Sequence, residues 1–559
     1  MTPSAPVRVA ALQFAVGDDL DANLAACLRL VDRAARHRPH LMVLPEFVNH
    51  LAWYRDAEHC YEVAVTLDGP FVAAIAQRAR QHRCYIKLNV TLRREEGAVT
   101  GTNILLDPEG RIAAVNDKQV LMGNENNFLR PACEPAPVVE TPIGRLGMYA
   151  CMDGVIPEVA RSLAVRGAQV LLNSLNSFAL DEAALHIPVR AAENRVFVVA
   201  ANKVGPLVPD ALRPTVAAKL QIDPAWLDGA GESQIVGPDG AVLAKAPRRG
   251  EAVVWADIEP ARADDKRRGD GADLMADRRP ALYRAIAAPP VGEPPETAGV
   301  AAPQALAAVY RPTARGPQAV AEALAAIAQA EAAGVQLLAL PELFHLPADA
   351  DPAAAAEATP SLLAAVQAAL RGPCLAALTV VEAGQHVGVL VGREGVVLRQ
   401  PQLHPAGRQR WIRPGEALRV ADVGWARVAL VVGNDALFPE TFRLAALAGA
   451  EVVVVLTAGT EPWELGLGFA ERAAENRVNL LVAADGDGAI YAVTEDFTLW
   501  TPWRHRPFDG CINTPVVTPA GPGLTTAAIY PAAAHNKQVS HRTHLLANRP
   551  WRLAGPLVA

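Results

Sequence analysis

Cys151 lies at the centre of a segment that predicts a reactive thiol. The apolar run from Arg145 to Ala150 predicts a short buried strand, and the residues after Pro157 predict a helix. A thiol at such a turn lies near unpaired backbone N–H groups and the positive end of a helix, which favour a thiolate and can stabilise an oxyanion. A single cysteine is more often a buried structural residue, so the hypothesis depends on its surroundings.

Two further strand ends carry the groups that a nucleophilic thiol needs. Glu46 follows the apolar segment HLMVLP, and Lys118 follows RIAAVND. Amide cleavage by a thiol requires a base to take its proton and a cation or donor to hold the oxyanion. A buried glutamate beside a lysine and a thiol is suited to act as that base. The alternative interpretation of Glu46 and Lys118 is an ordinary surface ion pair.

The elements that must position these side chains alternate regularly between strand and helix. A hairpin turn is predicted at residues 108–110, and residues 203–230, which carry prolines and few periodic signals, predict a loop or lid. This alternation is typical of an α/β fold. Because reactive side chains gather at the carboxyl ends of strands in such folds, we expect the three residues to meet in one pocket.

The chain carries this pattern twice. GVQLLALPELF repeats HLMVLPEF, RAAENRVNLLVAAD repeats RAAENRVFVVAAN, and residues 401–415 align without a gap on residues 118–132. Matched blocks in the same order exclude chance similarity between two alanine-rich domains. Residues 288–303 hold five prolines and no periodicity, which is typical of a linker. The predicted boundaries are a catalytic domain at 1–287, a linker at 288–303 and a degenerate domain at 304–559.

Taken together, these motifs resemble the nitrilase superfamily of carbon–nitrogen hydrolases. The resemblance rests on LPEF, on the DK pair that ends the predicted hairpin, on YACMD with PE downstream, and on RAAENRVFVVAANKVG. It covers essentially the full length of each copy. It implies two tandem αββα sandwiches of four layers each, with no metal and no organic cofactor. The sequence agrees with this expectation, because it shows no cluster of His, Cys and carboxylate residues at ligand spacing and no phosphate-binding glycine motif.

The same resemblance assigns roles to individual residues. It makes Cys151 the nucleophile, Glu46 the general base and Lys118 the group that stabilises the tetrahedral intermediate. Glu125, seven residues after Lys118, resembles a second glutamate that orients substrate and lysine. The residues expected to contact substrate are Met152 and Asn176.

The residues after the cysteine bear on which bond is cut. Met152 and Asp153 follow it, as in amidase-like and carbamoylase-like members, whereas true nitrilases usually carry tryptophan and glutamate there. We therefore expect hydrolysis of a small carboxamide or carbamoyl (ureido) compound to an acid and ammonia. Nitrile hydrolysis is the alternative among enzymes, and a non-catalytic binding or assembly protein is the alternative from another class. Gly154 replaces the arginine that holds a substrate carboxylate in amino-acid carbamoylases, for which Arg130 or Lys203 could substitute.

The second copy lacks the reactive residues. In the order base, lysine, second glutamate and cysteine, the aligned residues are Glu342, Pro401, Arg408 and Gly433. The only lysine after the linker is Lys537, near the chain end. We therefore predict a pseudoenzyme in the second copy.

Two roles for the second copy are open. It can pair with the first copy within the chain, as a partner subunit would, at an effective concentration of roughly millimolar. Alternatively it can bind a ligand through Glu342, His404, Arg408 and Trp411. Histidine and tryptophan at such positions are more often packing residues.

Length and composition set the remaining expectations. A chain of 559 residues with 51% hydrophobic residues is large enough for more than one core. The net charge of -7 argues against a nucleic-acid partner, and no apolar run is long enough to span a membrane. Seven cysteines without a CxxC pair favour a reducing cytoplasm over a disulfide framework. The expected partner is a small amide-type substrate, and a homo-oligomer is compatible with the sequence.

Overall fold

The computed structural model describes residues 6–290, 301–347, 350–459, 461–497 and 502–559. The chain divides into two compact units, neither of which is continuous in sequence. Unit 1 comprises Met1–Lys266, Asp496–Ile512 and Gln538–Leu557, and unit 2 comprises Arg267–Glu495, Asn513–Lys537 and Val558–Ala559. These units differ from the predicted boundaries, which follow the sequence repeats and stay a prediction. Residues 291–300 of the predicted linker lie outside the described residues.

Unit 1 contains two six-stranded sheets in the orders β14-β1-β2-β3-β4-β5 and β13-β12-β9-β8-β7-β6, and a small sheet of β10 and β11. In each large sheet three adjacent strands are parallel, β1 to β3 in one and β7 to β9 in the other, and the outer strands are antiparallel. The strands are β1 (Val7–Gln13), β2 (Leu41–Val43), β3 (Tyr85–Arg93), β4 (Val99–Leu106), β5 (Ile112–Asp117), β6 (Val138–Thr141), β7 (Gly144–Ala150), β8 (Val170–Ser174), β9 (Phe197–Ala201), β10 (Val204–Pro206), β11 (Asp228–Ala230), β12 (Gln234–Val236), β13 (Val242–Lys245) and β14 (Ala252–Ile258).

The two sheets of unit 1 contact each other through their parallel strands, and helices cover their outer faces. Helices α1 and α3 lie on the first sheet, and α5 and α6 lie on the second. The helices are α1 (Leu20–Ala35), α2 (Ala57–Val63), α3 (Pro70–His82), α4 (Met152–Val155), α5 (Pro157–Val165), α6 (Ile187–Asn194) and α7 (Arg213–Leu220). The result is the αββα sandwich that the sequence predicts.

Local sequence explains these layers. The central strands β2, β8 and β9 are buried throughout, as expected of parallel strands covered on both faces. Helix α1 begins at Asp19, whose side chain accepts a hydrogen bond from the N–H of Ala22. Its buried residues Cys27, Leu30 and Val31 recur at the three- to four-residue spacing of a helix face.

Unit 2 repeats the same topology. Its sheets have the orders β19-β18-β17-β16-β15-β26 and β20-β21-β22-β23-β24-β25, with β15 to β17 and β21 to β23 parallel. The strands are β15 (Ala305–Arg311), β16 (Leu337–Ala339), β17 (Leu375–Glu382), β18 (Gln385–Gly392), β19 (Gly395–Pro401), β20 (Val420–Asp422), β21 (Arg427–Val432), β22 (Val452–Leu456), β23 (Asn479–Ala484), β24 (Asp487–Ala492), β25 (Val516–Pro519) and β26 (Gly523–Ile529). The helices are α8 (Pro317–Ala332), α9 (Pro352–Ala369), α10 (Pro439–Leu447) and α11 (Phe469–Asn476). The predicted tandem pair of sandwiches is confirmed.

Two late segments complete unit 1. They carry β27 (Gln538–Ser540) and β28 (Thr543–His544), and the chain ends with α12 (Gly555–Val558). Phe497, Trp503 and Phe508 from these segments join a buried apolar cluster with Met152 and Val155 of α4. The described helices include none with the length and apolar content needed to cross a bilayer.

The predicted hairpin at residues 108–110 is confirmed, since β4 and β5 pair there and Gly110 has a φ of 77°. The predicted loop at residues 203–230 is wrong in part, because β10, α7 and β11 lie within it. Helix α7 is only eight residues long and buries only two of them, Ala217 and Leu220, so its periodic signal is weak.

Candidate active site

Cys151 occupies a sharp turn between β7 and α4, as the sequence predicts. Its backbone has a φ of 49° and a ψ of −109°, a conformation that costs a residue with a side chain on the order of 1–3 kcal/mol. Its N–H lies 3.0 Å from both the carbonyl oxygen of Ser174 and Asn173 Oδ1, to which it donates. That N–H is therefore committed to the turn and not available to an oxyanion. The N–H groups of Met152 and Asp153 open α4 and have no acceptor within the helix.

Lys118 brings the two predicted glutamates together. Its Nζ lies 2.8 Å from Glu46 Oε1, and it donates to both carboxylate oxygens of Glu125 at 2.9 and 2.8 Å. The side chains of Lys118 and Glu46 are fully buried. Two carboxylates thus share one ammonium group inside the sandwich.

Glu46 is held by its backbone and leaves its carboxylate free for chemistry. Its N–H donates to the carbonyl oxygen of Leu175 at 3.1 Å, which ties the end of β2 to the opposite sheet. Although it pairs with Lys118, neither carboxylate oxygen accepts a hydrogen bond of good geometry from the described residues. Unused lone pairs on a buried carboxylate are what a general base requires.

The electrostatics of the site keep the resting thiol neutral. Burial and the nearby charge of Glu46 raise the pKa of Cys151 well above its ordinary value, and Lys118 only partly opposes them. The expectation that the turn favours a thiolate is therefore wrong for the resting site, because desolvation outweighs the helix end. Thiol chemistry here needs a base that removes the proton as the new bond forms.

The pKa values of the charged pair follow from the same balance. Burial raises the pKa of Glu125 to about 6, and Lys118 limits the rise. Burial alone would lower the pKa of Lys118, but the carboxylates of Glu125 and Glu46 outweigh it and hold the pKa well above its ordinary value. Lys118 therefore stays charged at neutral pH.

A further carboxylate, Glu182, lies beside the thiol and was missed in the sequence. Its Oε1 is 3.9 Å from Cys151 Sγ. It is placed there by a π-helical turn, Glu182–His186, that precedes α6. Such turns are rare and often occur at functional sites, and no spacing rule in the sequence reveals them.

Asp153 has an anchoring role that the sequence did not reveal. Its Oδ1 accepts the N–H groups of Gln119 and Val120 at 3.0 and 2.8 Å, and its Oδ2 accepts that of Ala150 at 3.2 Å. It thereby fixes the segment after Lys118 to the cysteine turn, although burial raises the pKa of Asp153 to about 7. The repeated Asp435 was the available signal, because Asp435 Oδ1 accepts backbone N–H groups in the same way.

The other predicted site residues differ in their burial and in their contacts. The side chain of Met152 lies in the apolar cluster with Trp503. Asn176 follows directly on the residue that holds Glu46, and its buried Oδ1 has no hydrogen-bond partner among the described residues. Arg130 is exposed. Lys203 is buried, and its charge interacts with Glu46 and Cys151.

The structure does not support the gapless alignment of residues 401–415 on residues 118–132. Gly123 and Gly407 begin equivalent short turns with φ values of 54° and 50°. Lys118 follows the last residue of β5, and Gln402 follows the last residue of β19. The counterpart of Lys118 is therefore Gln402 and not Pro401. The prediction was off by one residue because the loop after Gly407 is one residue shorter.

By the same register, the counterpart of Glu125 is Gln409 and not Arg408. Gln409 donates to Glu342 and accepts the N–H of Asn434 at 2.9 Å. Arg408 forms two hydrogen bonds to the carboxylate of Glu342, at 3.2 and 3.0 Å. The second copy therefore keeps the buried glutamate but neutralises it with an arginine.

The cysteine position of the second copy is closed. Gly433 keeps the left-handed backbone of the turn, with a φ of 54°. A side-chain carbon placed on it would come within 2.6 Å of Gln409 Nε2 and 2.8 Å of Gln402 Oε1. The two amides thus fill the space that the thiol occupies in the first copy.

The other residues considered for a second ligand site do not converge on it. His404 is buried, lies 2.7 Å from both Asp435 Oδ1 and the hydroxyl of Tyr283, and stacks on Phe438. Trp411 is exposed. The histidine is accounted for by packing within unit 2.

Known proteins share this pattern. A sequence profile described as carbon-nitrogen hydrolase matches residues 8–268 and 300–486. The nitrilase and fragile histidine triad fusion protein NitFhit of Caenorhabditis elegans is 26% identical over 291 residues, which cover 49% of this chain and 61% of the relative. The chain thus spans less than two thirds of that protein.

Two further relatives are matched along most of their length. A nitrilase of Pyrococcus abyssi is 27% identical, over 47% of this chain and 93% of its own. An N-carbamoylputrescine amidase of Arabidopsis thaliana is 25% identical, over 50% of this chain and 94% of its own. Among solved structures, an amidase from Nesterenkonia sp. is 22% identical with a TM-score of 0.41, over 51% of this chain and 98% of its own. Because the profile match extends over more than half of its residues, the chain belongs to the carbon–nitrogen hydrolase family of the nitrilase superfamily, with the family pattern present twice in tandem.

Proposed function

We propose that this chain hydrolyses a small carboxamide or carbamoyl (ureido) compound through an acyl intermediate on Cys151, with release of ammonia. The observation that carries the proposal is the buried arrangement of Glu46, Lys118 and Glu125 next to a neutral thiol. The similarity to an N-carbamoylputrescine amidase supports the same reaction class.

In the first half-reaction, Cys151 Sγ attacks the carbonyl carbon while its proton passes to Glu46. The ammonium of Lys118 has a third N–H beyond those directed at Glu125, and we assign it to the developing oxyanion, together with the N–H groups that open α4. The carbon–nitrogen bond then breaks as Glu46 returns the proton to the departing amine. The products are ammonia and a thioester.

In the second half-reaction, Glu46 takes a proton from water, and the resulting hydroxide equivalent attacks the thioester carbon. The carbon–sulfur bond breaks as Glu46 passes this proton to the sulfur, so the acid leaves and both the thiol and the carboxylate are restored. Glu125 keeps Lys118 oriented in both halves, and Asn176 is the proposed contact for the substrate amide because its buried Oδ1 can accept an N–H.

The test is ammonia release from a panel of carboxamides, ureido compounds and nitriles by the wild type and Cys151→Ala. We expect the wild type to hydrolyse a carboxamide or ureido compound and the variant to release no ammonia above background. Hydrolysis of nitriles alone would replace the proposal with a nitrilase. Ammonia release that survives in Cys151→Ala would refute the role of the thiol, and inactivity of the wild type on the whole panel would favour a binding protein.

We also propose that the second copy is not catalytic. The closed position at Gly433 and the Glu342–Arg408 pair support this assignment, since neither leaves a nucleophile beside a free base. We propose in addition that the second copy pairs with the first within the chain and that the protein is cytoplasmic. The seven cysteines, which form no disulfide, support the cytoplasmic location.

A further inference from the structure

A second buried lysine, Lys87 of β3, lies between the two sheets of unit 1. Its Nζ donates to Ser174 Oγ at 2.5 Å and to the carbonyl oxygen of Tyr149 at 3.3 Å. The hydroxyl of Ser174 in turn donates to the carbonyl oxygen of Leu44 at 2.5 Å. The lysine side chain is fully buried. Burying an ammonium is costly, so a group kept there is expected to do something that an apolar side chain cannot.

The partners of Lys87 are the strand ends that deliver the reactive residues. Leu44 is two residues before Glu46, and Tyr149 is two residues before Cys151. Ser174 also accepts the N–H of Cys151 through its carbonyl oxygen. One ammonium group therefore joins the end of β2 in the first sheet to the ends of β7 and β8 in the second.

Unit 2 shows that the fold does not need this group. The strand pairing β2/β3 and β16/β17 places Ala377 at the position of Lys87. The pairing β7/β8 and β21/β22 places Leu456 at the position of Ser174. Both members of the hydrogen-bonded pair are thus absent from the copy that lacks a nucleophile.

Lysines with a structural role behave differently. Lys266 donates to the carbonyl oxygens of Asn194 and Arg195 at the end of α6, and Lys537 donates to those of Asn476 and Arg477 at the end of α11. This helix cap is present in both copies. In contrast, Lys87 is present in the copy that has a nucleophile and absent from the copy that shares the fold but lacks one.

We propose that Lys87 is a positioning residue for the reaction, which holds Glu46 against Cys151 and stabilises its ionised, base-competent form. The inference rests on the proposed function. The charged groups that face Lys87 are Glu46 and Asp153, and both favour its protonated form. Burial nevertheless lowers the pKa of Lys87 to about 7, so its charge responds to the carboxylates around it.

The experiment measures alkylation of Cys151 by iodoacetamide between pH 5 and 9, read by peptide mass, together with kcat on any amide that the wild type hydrolyses. The variants are Lys87→Met, which removes charge and hydrogen bonds, and Lys87→Gln, which keeps a donor without charge. Lys266→Met is the matched control, because it removes a partly buried lysine of unit 1 from a helix cap. Unfolding midpoints are measured for all of them.

We expect Lys87→Met to slow alkylation at pH 7 by about tenfold and to raise the midpoint of the pH profile by about one unit. The direction follows because loss of a buried cation disfavours the ionised form of a carboxylate near it. Lys87→Gln should recover part of the rate but not the midpoint, and Lys266→Met should lower the unfolding midpoint while keeping the wild-type profile.

A Lys87→Met protein that is alkylated at the wild-type rate with the wild-type midpoint would overturn the proposal. So would a loss of rate that appears equally in Lys266→Met. If Lys87→Met does not fold, Lys87→Gln tests whether the midpoint of the pH profile depends on the charge at position 87. Ser174→Ala tests whether the hydrogen bonds between the strand ends matter, and a several-fold loss of alkylation rate is expected. Inactivity of the wild type on every amide would count against the proposed function alone, since alkylation needs no substrate.

Discussion

Removal of the ammonium group at the centre of the site should have two separate consequences. In Lys118→Met, Glu46 and Glu125 lose a cation that lies 2.8 to 2.9 Å from their oxygens. Both carboxylates then share a buried space without the cation that contacts them. Breaking a buried ion pair in this way costs about 3–5 kcal/mol, because the remaining charge is left uncompensated.

The loss of stability should depend on pH with a defined sign. The raised pKa of Lys118 means that its stabilisation is complete below the pKa of an unfolded lysine and is lost only in strongly alkaline solution. In the variant, burial raises the pKa of Glu125 further, because the charge of Lys118 no longer opposes it. The carboxyl group of Glu125 therefore takes up a proton more readily in the variant as the pH falls. The stability difference from wild type should be largest near pH 8 and should narrow towards pH 5.

The assay combines urea unfolding at pH 5, 6, 7 and 8 with ammonia release at pH 7. We expect kcat to fall by at least about a hundredfold, the usual effect of removing one oxyanion donor. Arg408→Met in unit 2 is the control, because it also removes a cation from a buried glutamate, Glu342. It should reduce stability and leave kcat unchanged. A stability difference in Lys118→Met that is constant from pH 5 to 8, or a kcat close to wild type, would refute this reasoning.

Three further predictions address the surrounding structure. Asp153→Asn should lower kcat at least about tenfold and stability by about 1–3 kcal/mol, because the amide keeps one acceptor oxygen and its N–H₂ cannot accept the N–H of Ala150. Asp435→Asn should lower stability alone, and equal kcat losses in both variants would contradict the anchoring role. Gly433→Cys should destabilise unit 2 by about 1–3 kcal/mol and give a thiol that does not react with iodoacetamide, because two amide side chains fill the space beside position 433. A reactive thiol there would show that the position is open. Trp503→Ala should lower the stability of unit 1 by about 3–5 kcal/mol and reduce kcat, because the late segment that carries Trp503 packs on α4 next to Cys151. Unchanged unfolding and activity would show that this segment does not support the site.

Much of the fold could be predicted from patterns within each copy. Buried apolar runs such as β8 and β9, the capped helix α1 and the turn at Gly110 have local causes that a sequence shows directly. Glu46, Lys118 and Cys151 could be predicted as one cluster because each follows a predicted strand. Their convergence then depends only on how parallel strands are arranged.

The remaining features depend on contacts that no local pattern encodes. Glu182 reaches the thiol through a π-helical turn, and Asp153 acts through backbone groups distant in sequence. The neutral thiol reflects desolvation, which depends on everything packed around Cys151. The assignment of late segments to unit 1 and the one-residue shift at Gln402 also require the three-dimensional register.

The central claim is that one thiol performs the chemistry. The most direct test is an acid quench of the wild type during turnover of an amide substrate, followed by peptide mass analysis of all seven cysteines. An acyl mass on Cys151 and on no other cysteine is the predicted result. An acyl mass on another cysteine, such as the exposed Cys133, or steady hydrolysis with no adduct in a chain whose Cys151 is already blocked, would contradict the account.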